Sequence, residues 1–455
     1  MADFPSWQQG VRHEYPPLRG PHRADAVVAG GGLAGILTAW RLQSQGLEVI
    51  LLEADRLGRG ATFGCSGLCS CQAMQGYLRA AESCGMEAAR TYAQLLRESA
   101  QGLADLIHRL HLPCQLTECS VYAYAETEDD LPALQHLLKL EQQLGLNLSP
   151  APDAGGCPFP VELSAVMHRQ YLLHPLPMLL ALAQEAGRLG CRIYEHTPLQ
   201  AIEGRAVRTP EGSVRTEAIL LCTGIPPDCR SASVLSLVEP RLREARILHG
   251  TAALHTAQRS VQGDEFAMRP LPEGLLITLD RGAYGTRDTA RSALLRDRAL
   301  RALLPDYDTA DVILRRELHT RDGLPLIGPV EPSRSQVLMA GCFGGMGLAG
   351  SCLAAELLTA SVLAKPMSES SLFLPFRLQG QRRVFAASAL RRSIRRWKRR
   401  SAPRCPHMGC PLRYNPGNRQ WECPCHGSGF DLFGQPLSAP AVRSAVLSPR
   451  DRPDA

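Results

Sequence analysis

Two cysteines and two histidines stand close together in two short, similar segments of the chain. The first segment is Cys405-Pro-His407 and the second is Cys423-Pro-Cys-His426, with 15 residues between His407 and Cys423. Thiolate sulfur and imidazole nitrogen are ligands that proteins offer to zinc and to iron–sulfur clusters. A structural zinc site usually places its cysteine pair before its histidine pair. The alternating order of Cys and His fits that arrangement poorly, and therefore favours an iron–sulfur centre over zinc.

The two segments resemble the ligand loops of Rieske [2Fe–2S] proteins. That resemblance implies that Cys405 and Cys423 bind one iron, and that His407 and His426 bind the other. Imidazole in place of thiolate raises the reduction potential to roughly −150 to +300 mV, against about −400 mV for all-cysteine plant-type clusters. We therefore expect this part of the chain to carry single electrons.

Three further positions in these loops bear on the resemblance. Cys410 and Cys425 match the two cysteines that form a disulfide between the loops of many Rieske proteins, so the resemblance implies a disulfide here. Where many high-potential members have a tyrosine that donates a hydrogen bond to a ligand sulfur, this chain has Phe430. One donor fewer predicts a potential below the top of the Rieske range.

A second motif with chemical meaning lies near residue 30. The apolar run Ala26-Val-Val-Ala29 leads into Gly30-Gly-Gly32-Leu33-Ala34-Gly35, and a helix-like segment follows. A second apolar strand ends at Glu53, 21 residues after Gly32. Glycines at this spacing allow a tight turn and a close approach of the backbone to a pyrophosphate, and the N–H groups at the helix start bind its oxygens. Glu53 would accept hydrogen bonds from ribose hydroxyls, so the sequence predicts a dinucleotide site.

Later segments decide which dinucleotide binds. Gly58-Arg-Gly60-Ala61-Thr62, the strand that ends at Thr223-Gly224, the element Asp322-Gly-Leu-Pro325 and the loop from Gly341 to Gly347 follow in order. Together they resemble the D-amino-acid oxidase/glycine oxidase superfamily of FAD enzymes over about residues 24–365, and within it bacterial oxidoreductases with a C-terminal Rieske module. The resemblance implies FAD as the cofactor. The residues that it places at FAD, beside those of the dinucleotide motif, are Gly60, Ala61, Thr62, Thr223, Gly224, Gly341, Gly344, Gly345, Met346 and Gly347.

Two residues are candidates for a catalytic role. Members that oxidise amino acids commonly have an arginine, which binds the substrate carboxylate, five residues before the Asp of Asp-Gly-x-Pro; this chain has Glu317 there. A carboxylate would suit a cationic amine, or Glu317 forms a salt bridge and never meets the substrate. His174, in Leu-His174-Pro-Leu, is a second candidate, with the alternative that it orders the start of the following helix.

These motifs predict an α/β protein (α+β overall) with three parts. Residues 1–372 should form an oxidoreductase, with a Rossmann-like FAD-binding domain (about 24–85, 165–225 and 320–365) and an interleaved mixed-sheet substrate domain (about 86–164 and 226–319). Residues 373–402 should form a basic linker, and 403–455 a reduced, all-β Rieske module. Because the usual base strands of such a module are missing, we expect it to dock on the FAD-binding part.

The composition of the chain indicates its cellular location and its possible partners. Sixteen cysteines without a secretory leader favour a cytoplasmic protein with reduced thiols. The uncharged stretch 337–355 contains five glycines, so it predicts strand, loop and helix and no transmembrane segment. Residues 377–404 carry 11 basic residues and no acidic one. Three interpretations of this run remain open: it forms a solvated linker, it binds an acidic electron-transfer partner, or it contacts a membrane surface through Arg391–Arg400. No motif supports binding to nucleic acid.

Together the motifs predict an oxidoreductase that oxidises a small amine-like substrate, at a C–N or C–OH bond, and passes electrons through the cluster to a protein or small-molecule acceptor. Two alternatives remain. The protein could relay electrons between protein partners without a small substrate, or it could be a redox sensor. A reductase fed by a nicotinamide nucleotide would normally carry a second G-x-G-x-x-G motif for that nucleotide. The further match in this sequence, Gly345-Met-Gly347-Leu-Ala-Gly350, begins in the glycine loop that the resemblance places at FAD, so it does not indicate a nicotinamide site.

Overall fold

The structure is a computed structural model, and it describes residues 13–250, 254–261, 266–272, 274–285, 290–365, 367–377 and 402–447. For residues 290–296 and 309–311 it describes only the course of the backbone. Most of the basic run, with Arg391–Arg400, therefore lies outside the described residues. The predictions made for that run stay predictions.

A six-stranded sheet forms the centre of the FAD-binding part. Five of its strands are parallel, and the sixth, at one edge, is antiparallel to its neighbour. Side chains alternate between its two faces, because successive residues of a strand point to opposite sides. In order across the sheet the strands are β18 (Leu326–Pro329), β19 (Val337–Gly341), β12 (Ala218–Leu221), β2 (Ala26–Ala29), β3 (Val49–Leu52) and β8 (Arg192–Tyr194).

Both faces of this sheet are covered, which explains why β2 and β3 are apolar at every position. Val28 and Leu51 belong to the core beneath the helices, and Val27 and Ile50 belong to the core on the other face. The helices are α1 (Leu33–Ser44), α5 (Pro175–Arg188) and α8 (Gly347–Val362). The elements that contribute to the second core are β1 (Gly20–Arg23), β9 (Ala201–Glu203), β10 (Ala206–Arg208), β11 (Gly212–Arg215) and α6 (Ala232–Leu237).

A nine-stranded mixed sheet is built from chain segments on both sides of the FAD-binding strands, and it includes β4 (Leu68–Cys69), which the predicted boundaries had placed in the FAD-binding part. Its strands, in the order in which they pair, are β17 (Asp308–Thr320), β13 (Val238–His249), β16 (Gly274–Ala283), β15 (Ala267–Leu271), β14 (Ala257–Ser260), β5 (Thr117–Ala125), β7 (Leu163–Leu172) and β4 (Leu68–Cys69), with β6 (Leu148–Ala151) on β7. The helices that accompany it are α2 (Gln75–Cys84), α3 (Met86–Leu110), α4 (Leu131–Gln143) and α7 (Ala290–Leu303).

The predicted domain boundary at residue 165 needs a correction. It falls inside β7, which pairs with β5 and β6 along its length and so belongs to the substrate-domain sheet. The FAD-binding part resumes only at α5. The strand was assigned to the wrong domain because a buried apolar strand has the same local pattern in either sheet, and only its partners distinguish the two.

The uncharged stretch 337–355 forms β19, a glycine loop and the first half of α8, as its glycines predicted. Among the described residues, no helix is long and apolar enough to cross a membrane. Arg377, the first residue of the basic run, makes a two-pronged ion pair with Asp322, with Nε–Oδ2 and Nη2–Oδ1 distances of 2.8 and 2.9 Å. This pair ties the start of the basic run to the Asp-Gly-x-Pro element.

The C-terminal module is a small antiparallel sheet with four short strands. They are β20 (Arg413–Asn415), β21 (Gln420–Glu422), β22 (Gly429–Phe430) and β23 (Pro436–Ser438). Its core is small and centres on Cys405, Cys423, Trp421 and Phe430. A core of this size contributes little stability by itself, so metal ligation and contact with a larger domain have to supply the rest.

Candidate functional site

The dinucleotide motif folds as a tight turn between β2 and α1. Glu53, just past β3, accepts hydrogen bonds from the backbone N–H groups of Gly31 and Asp55, at 2.6 and 2.9 Å. Burial raises the pKa of Glu53, and these two hydrogen bonds partly oppose the rise. The acid therefore lies beside the glycine turn, within reach of a ribose bound at the start of α1.

The glycines of the motif have distinct roles in this turn. A Cβ on Gly35 would lie 1.8 Å from the Gly30 carbonyl oxygen, so only glycine allows α1 to pack on the turn. A Cβ on Gly32 would meet only the Thr62 hydroxyl, at 3.7 Å, so the space in front of Gly32 is open. That hydroxyl also accepts a hydrogen bond from the Leu33 N–H, at 3.3 Å. The open space at Gly32, at the positive end of α1, fits a pyrophosphate.

The remaining predicted FAD segments meet on the same side of the sheet. Gly224 and Gly341 touch: a Cβ on Gly341 would lie 2.1 Å from the Gly224 carbonyl oxygen. Gly344 and Gly345 have left-handed φ angles of 56° and 87°, which favour glycine and carry the backbone around the loop. α8 begins directly after the loop, at Gly347. The structure thus brings the Thr-Gly strand end, the glycine loop and a second helix N-terminus together.

Glu317 lies in a buried group of charged side chains next to this loop. Its carboxylate pairs with Arg243 at 2.9 Å and with Arg315 at 3.4 Å, and the His319 ring lies 3.4 Å away. Burial alone would raise the pKa of Glu317, but the two guanidinium groups and His319 hold it well below its usual range. Of the two alternatives for Glu317, the structure therefore has the salt bridge. A Cβ on Gly345 would lie 3.2 Å from its Oε1, so the ion pair borders the glycine loop.

His174 occupies the position before the first turn of α5. Its backbone N–H donates to the Cys114 carbonyl at 2.8 Å, and its own carbonyl accepts from Met178 at 3.3 Å. These backbone bonds connect the start of α5 to the segment between α3 and β5. A catalytic role for His174 stays a prediction.

A cleft opens beside the glycine loop, and the sequence did not reveal it. Its walls include Arg79 and Tyr92 from α2 and α3, Arg259 from β14, His319 from β17, and Phe343. These residues come from distant parts of the chain and form no motif, so no local pattern could have identified them. Their common feature is visible only in the fold, where they surround one space next to Gly344.

A buried acid, Glu141, lies near this cleft. It is fully buried on α4, and neither of its oxygens has a well-oriented hydrogen bond among the described residues. Burial raises the pKa of Glu141 to about 8, although Arg259 and Gln72 are near enough to oppose the rise. In the folded protein the carboxyl thus keeps its proton up to about pH 8, while in the unfolded chain it ionises near 4.5.

This difference predicts a dependence of stability on pH. Between pH 5 and 8 unfolding releases a proton from Glu141, so the free energy of unfolding falls as the pH rises. Glu141→Gln removes the titrating group, and the stability of the variant relative to the wild type should increase by up to about 4 kcal/mol over this range. Urea unfolding at several pH values measures the difference. A constant difference from pH 5 to 8 would show that Glu141 is not protonated in the fold.

The two cluster loops have the same internal hydrogen bonds. The N–H of Cys405 donates to Cys410 O, and that of Cys423 donates to Ser428 O, both at 2.8 Å. In each loop a glycine four residues after the cysteine, Gly409 or Gly427, donates back to that cysteine's carbonyl, at 2.8 and 3.0 Å. The matching loops present their ligands to one space between them.

The ligand atoms in that space suit the cluster. The rings of His407 and His426 are 5.3 Å apart at an interplanar angle of 88°. His407 Nε2 bonds to a carbonyl oxygen and must carry the proton, so its Nδ1 keeps a free lone pair. His426 Nδ1 is buried and has no hydrogen-bond partner in the described part of the chain. Burial lowers the pKa of His426 to about 4, so the ring is neutral, as a ligand must be.

The sulfur atoms agree with this arrangement. Cys405 and Cys423 are each 1% exposed and lie in one cluster of buried side chains. The sulfurs of Cys410 and Cys425 lie within 4.8 Å of each other and of Cys423. The disulfide between them stays a prediction.

Phe430 packs against these ligands and allows a test of how the loops set the reduction potential. It is fully buried in the same small core as Cys405 and Cys423. Phe430→Tyr adds a hydroxyl that can donate to a ligand sulfur, which stabilises the reduced cluster. If the new hydrogen bond stabilises the reduced cluster by about 1 kcal/mol more than the oxidised cluster, the one-electron potential rises by roughly 40 mV. Redox titration followed by electron paramagnetic resonance (EPR) measures it; a potential that is equal or lower would contradict the prediction.

The C-terminal module contacts the rest of the protein next to both of its ligand loops. His407 Nε2 donates to the Cys229 carbonyl at 2.6 Å, and the N–H of Asp228 donates to Pro440 O at 2.7 Å. Cys229 lies five residues after Gly224, on the segment that leaves the Thr-Gly strand end. The predicted docking of the short module is therefore present.

A second docking contact lies at the base of the other ligand loop. Glu422, directly before Cys423, is fully buried, and its Oε2 accepts from the Gly285 N–H at 2.9 Å. Its Oε1 accepts from the amides of Asn415 and Asn418, at 3.0 and 2.7 Å. These bonds satisfy a carboxylate whose pKa burial would otherwise raise further.

The fold and the two sites define a flavoprotein oxidoreductase with an attached iron–sulfur module. Residues 25–361 match the family described as FAD dependent oxidoreductase (DAO), and residues 398–448 match the Rieske [2Fe-2S] domain. The chain therefore belongs to the DAO family of FAD dependent oxidoreductases and carries a Rieske domain. FAD and one [2Fe–2S] cluster are its cofactors.

Similar proteins share one or both parts. A protein of Bacillus subtilis (strain 168), YhfW, whose name describes it as a Rieske 2Fe-2S iron-sulfur protein, is 23% identical over 94% of both chains. Gamma-glutamylputrescine oxidoreductase of Escherichia coli (strain K12) is 25% identical over 56% of this chain and 59% of its own.

Solved structures share the fold of the FAD-dependent part. L-proline dehydrogenase from P. horikoshii superposes with a TM-score of 0.66 at 15% identity, over 79% of this chain and 99% of its own. Glycine oxidase from Geobacillus kaustophilus gives a TM-score of 0.62 at 19% identity, over 76% and 96%.

Proposed function

We propose that this protein oxidises a small amine-like substrate at FAD and passes the electrons, one at a time, through its Rieske cluster to an external acceptor. One observation carries the proposal: a cluster ligand, His407, is bonded to the carbonyl of Cys229 at 2.6 Å. Cys229 follows Gly224 by five residues, so their Cα atoms are at most about 18 Å apart. Gly224 in turn touches the glycine loop at Gly341.

The cleft beside Gly344 supports a small-molecule substrate. It is bordered by the predicted flavin-side loop and by polar side chains of the substrate domain, among them Arg259 and His319. Bound FAD would supply an acceptor for the hydride of the C–H bond next to the substrate nitrogen, and the cluster would supply a one-electron route for the two electrons that follow. The protein residues hold the substrate against the loop and restrict the access of water to it.

The buried ion pair limits the roles available to Glu317. Because its carboxylate already pairs with Arg243 and Arg315, it cannot serve as an unpaired anion for an amine. We propose that Glu317 fixes the position of Arg243 and His319 at the edge of the loop instead. An amine-like substrate is also the class named for relatives, as in gamma-glutamylputrescine oxidoreductase and glycine oxidase.

A substrate screen on the anaerobic holoprotein tests the proposal. Amines, amino acids and NAD(P)H are offered separately, while flavin absorbance and the EPR signal of the reduced cluster are followed. We expect an amine or amino acid to bleach the flavin and then to produce the cluster signal. Reduction by NAD(P)H or by a protein donor alone would contradict the proposal and favour an electron relay without a small substrate.

A further inference from the structure

Arg316 reaches from the substrate-domain sheet into the cluster module. It lies on β17 between Arg315 and Glu317, whose side chains pair with each other on the opposite face of the strand. Its Nη1 donates to the carbonyl oxygens of Gly427 and Ala439, at 2.8 and 2.5 Å. One guanidinium thus holds the second cluster loop and the segment that contains Pro440.

The contact is closely fitted. Gly427 has a left-handed φ of 85°, and a Cβ there would lie 2.9 Å from Arg316 Cδ. The segment after Ala439 closes on the same loop, because the N–H of Ala441 donates to the Ser428 hydroxyl at 3.1 Å. Arg316 therefore bonds to two segments that are already joined to each other, directly next to the ligand His426.

Arg316 has no acidic partner in the part of the chain that the structure describes. Both of its acceptors are neutral carbonyls, and no carboxylate of the described residues forms an ion pair with it. A Rieske cluster with two thiolate and two neutral imidazole ligands has zero net charge when oxidised, from two Fe³⁺, two S²⁻ and two thiolates. It has a charge of −1 after it gains one electron. A nearby cation therefore stabilises the reduced form.

Other charges around the module modify this effect without removing it. Glu422 opposes Arg316, but its carboxylate accepts hydrogen bonds from Gly285, Asn415 and Asn418, which offset part of its charge. Arg230, near His407, already pairs with Asp228 at 3.1 Å.

We infer that Arg316 is a positioning residue that holds the Rieske module on the FAD-dependent part and raises the reduction potential of the cluster. The inference depends on the presence of the cluster and not on the substrate or the direction of electron flow. Its test can therefore succeed or fail independently of the proposed function.

Two neutral variants, Arg316→Gln and Arg316→Met, test the inference in the full-length holoprotein. Two are used so that the test still works if one of them does not incorporate its cluster. We expect the equilibrium constant for one-electron reduction of the cluster to fall about tenfold, which is 59 mV lower in potential. Arg316→Lys keeps the charge and should show less than half of that shift. EPR-monitored titration gives the potentials, and hydrogen exchange of residues 425–441 should become faster in all three variants.

Arg404→Met is the matched control. Arg404 also donates to a cluster-loop carbonyl, that of Gly409 at 3.0 Å, but it is exposed, so solvent screens its charge. We expect its potential to stay near that of the wild type. An unchanged potential in a cluster-loaded neutral variant of Arg316 would overturn the inference. The inference would also be overturned if the potential of Arg404→Met or of Arg316→Lys shifted as much as the potentials of the neutral Arg316 variants.

Discussion

Cys423→Ser should abolish the EPR signal of the Rieske cluster and leave FAD bound. Cys423 is buried, follows the docked Glu422, and is the residue that we propose as one of the two thiolate ligands of an iron. A serine hydroxyl does not ionise at neutral pH and cannot replace a thiolate on iron. Electron transfer to a one-electron acceptor should fall by more than about 100-fold, since loss of outer contacts alone commonly costs 10–100-fold. Reduction of the flavin by substrate should persist.

Cys191→Ser is the control for this variant. Cys191 is also a buried free thiol, but it lies just before β8, at the edge of the FAD-binding sheet. It should keep the full cluster signal and the full rate. Iron and sulfide analysis, EPR and acceptor-reduction assays on the same preparations decide the outcome. Undiminished transfer to the acceptor in cluster-free Cys423→Ser would show that the cluster is not on the route of the electrons.

Gly35→Ala should remove FAD from the protein. The added Cβ would overlap the Gly30 carbonyl oxygen at 1.8 Å, far inside contact distance, and neither a Cβ nor a backbone oxygen can move away by a side-chain rotation. α1 must then move off the turn, and the N–H groups that bind the pyrophosphate move with it. We expect the affinity for FAD to fall at least about 100-fold, which corresponds to roughly 2.7 kcal/mol. Absorbance of bound flavin and titration of the apoprotein with FAD measure the loss.

Gly187→Ala provides a matched substitution in another helix. Gly187 lies within α5, and a Cβ there would meet no atom within 4 Å. Alanine is the better helix former, so this variant should keep FAD and gain about 0.5–1 kcal/mol of stability. If Gly35→Ala bound FAD as tightly as Gly187→Ala does, the assignment of residues 30–35 to the pyrophosphate would be wrong.

The residues with local motifs were predictable, and those assembled by the fold were not. The glycine turn, Glu53 and the four proposed cluster ligands depend on short spacings in the chain, so the sequence alone was sufficient to propose them. The bond between His407 and Cys229 joins residues 178 positions apart, and no spacing predicts it.

The substrate side shows the same limit. Glu317 was identified as an unusual residue, but its partner Arg243 lies on a strand 74 positions away, so only the structure shows the salt bridge. Arg259 and Tyr92 belong to no motif and line the cleft because of how the two sheets and their helices pack. β7 was predicted in the wrong domain for a related reason, since the sheet to which a strand belongs depends on its pairing partners and not on its own sequence.

The docked module has a kinetic consequence. Contacts at His407, Glu422 and Arg316 hold the cluster against the FAD-dependent part without a large movement of the module. Electron transfer between the two cofactors should then be a reaction within one molecule. A freely moving carrier would instead give a rate limited by the search for its docking site.

The most direct test is rapid-freeze EPR combined with stopped-flow absorbance on the anaerobic holoprotein, after it is mixed with a substrate that bleaches the flavin. We predict that the reduced Rieske signal rises after flavin bleaching with a first-order rate that does not change over a tenfold range of protein concentration. A cluster that stays oxidised beside fully reduced flavin, or a rate proportional to protein concentration, would contradict electron transfer from FAD to the cluster within this protein.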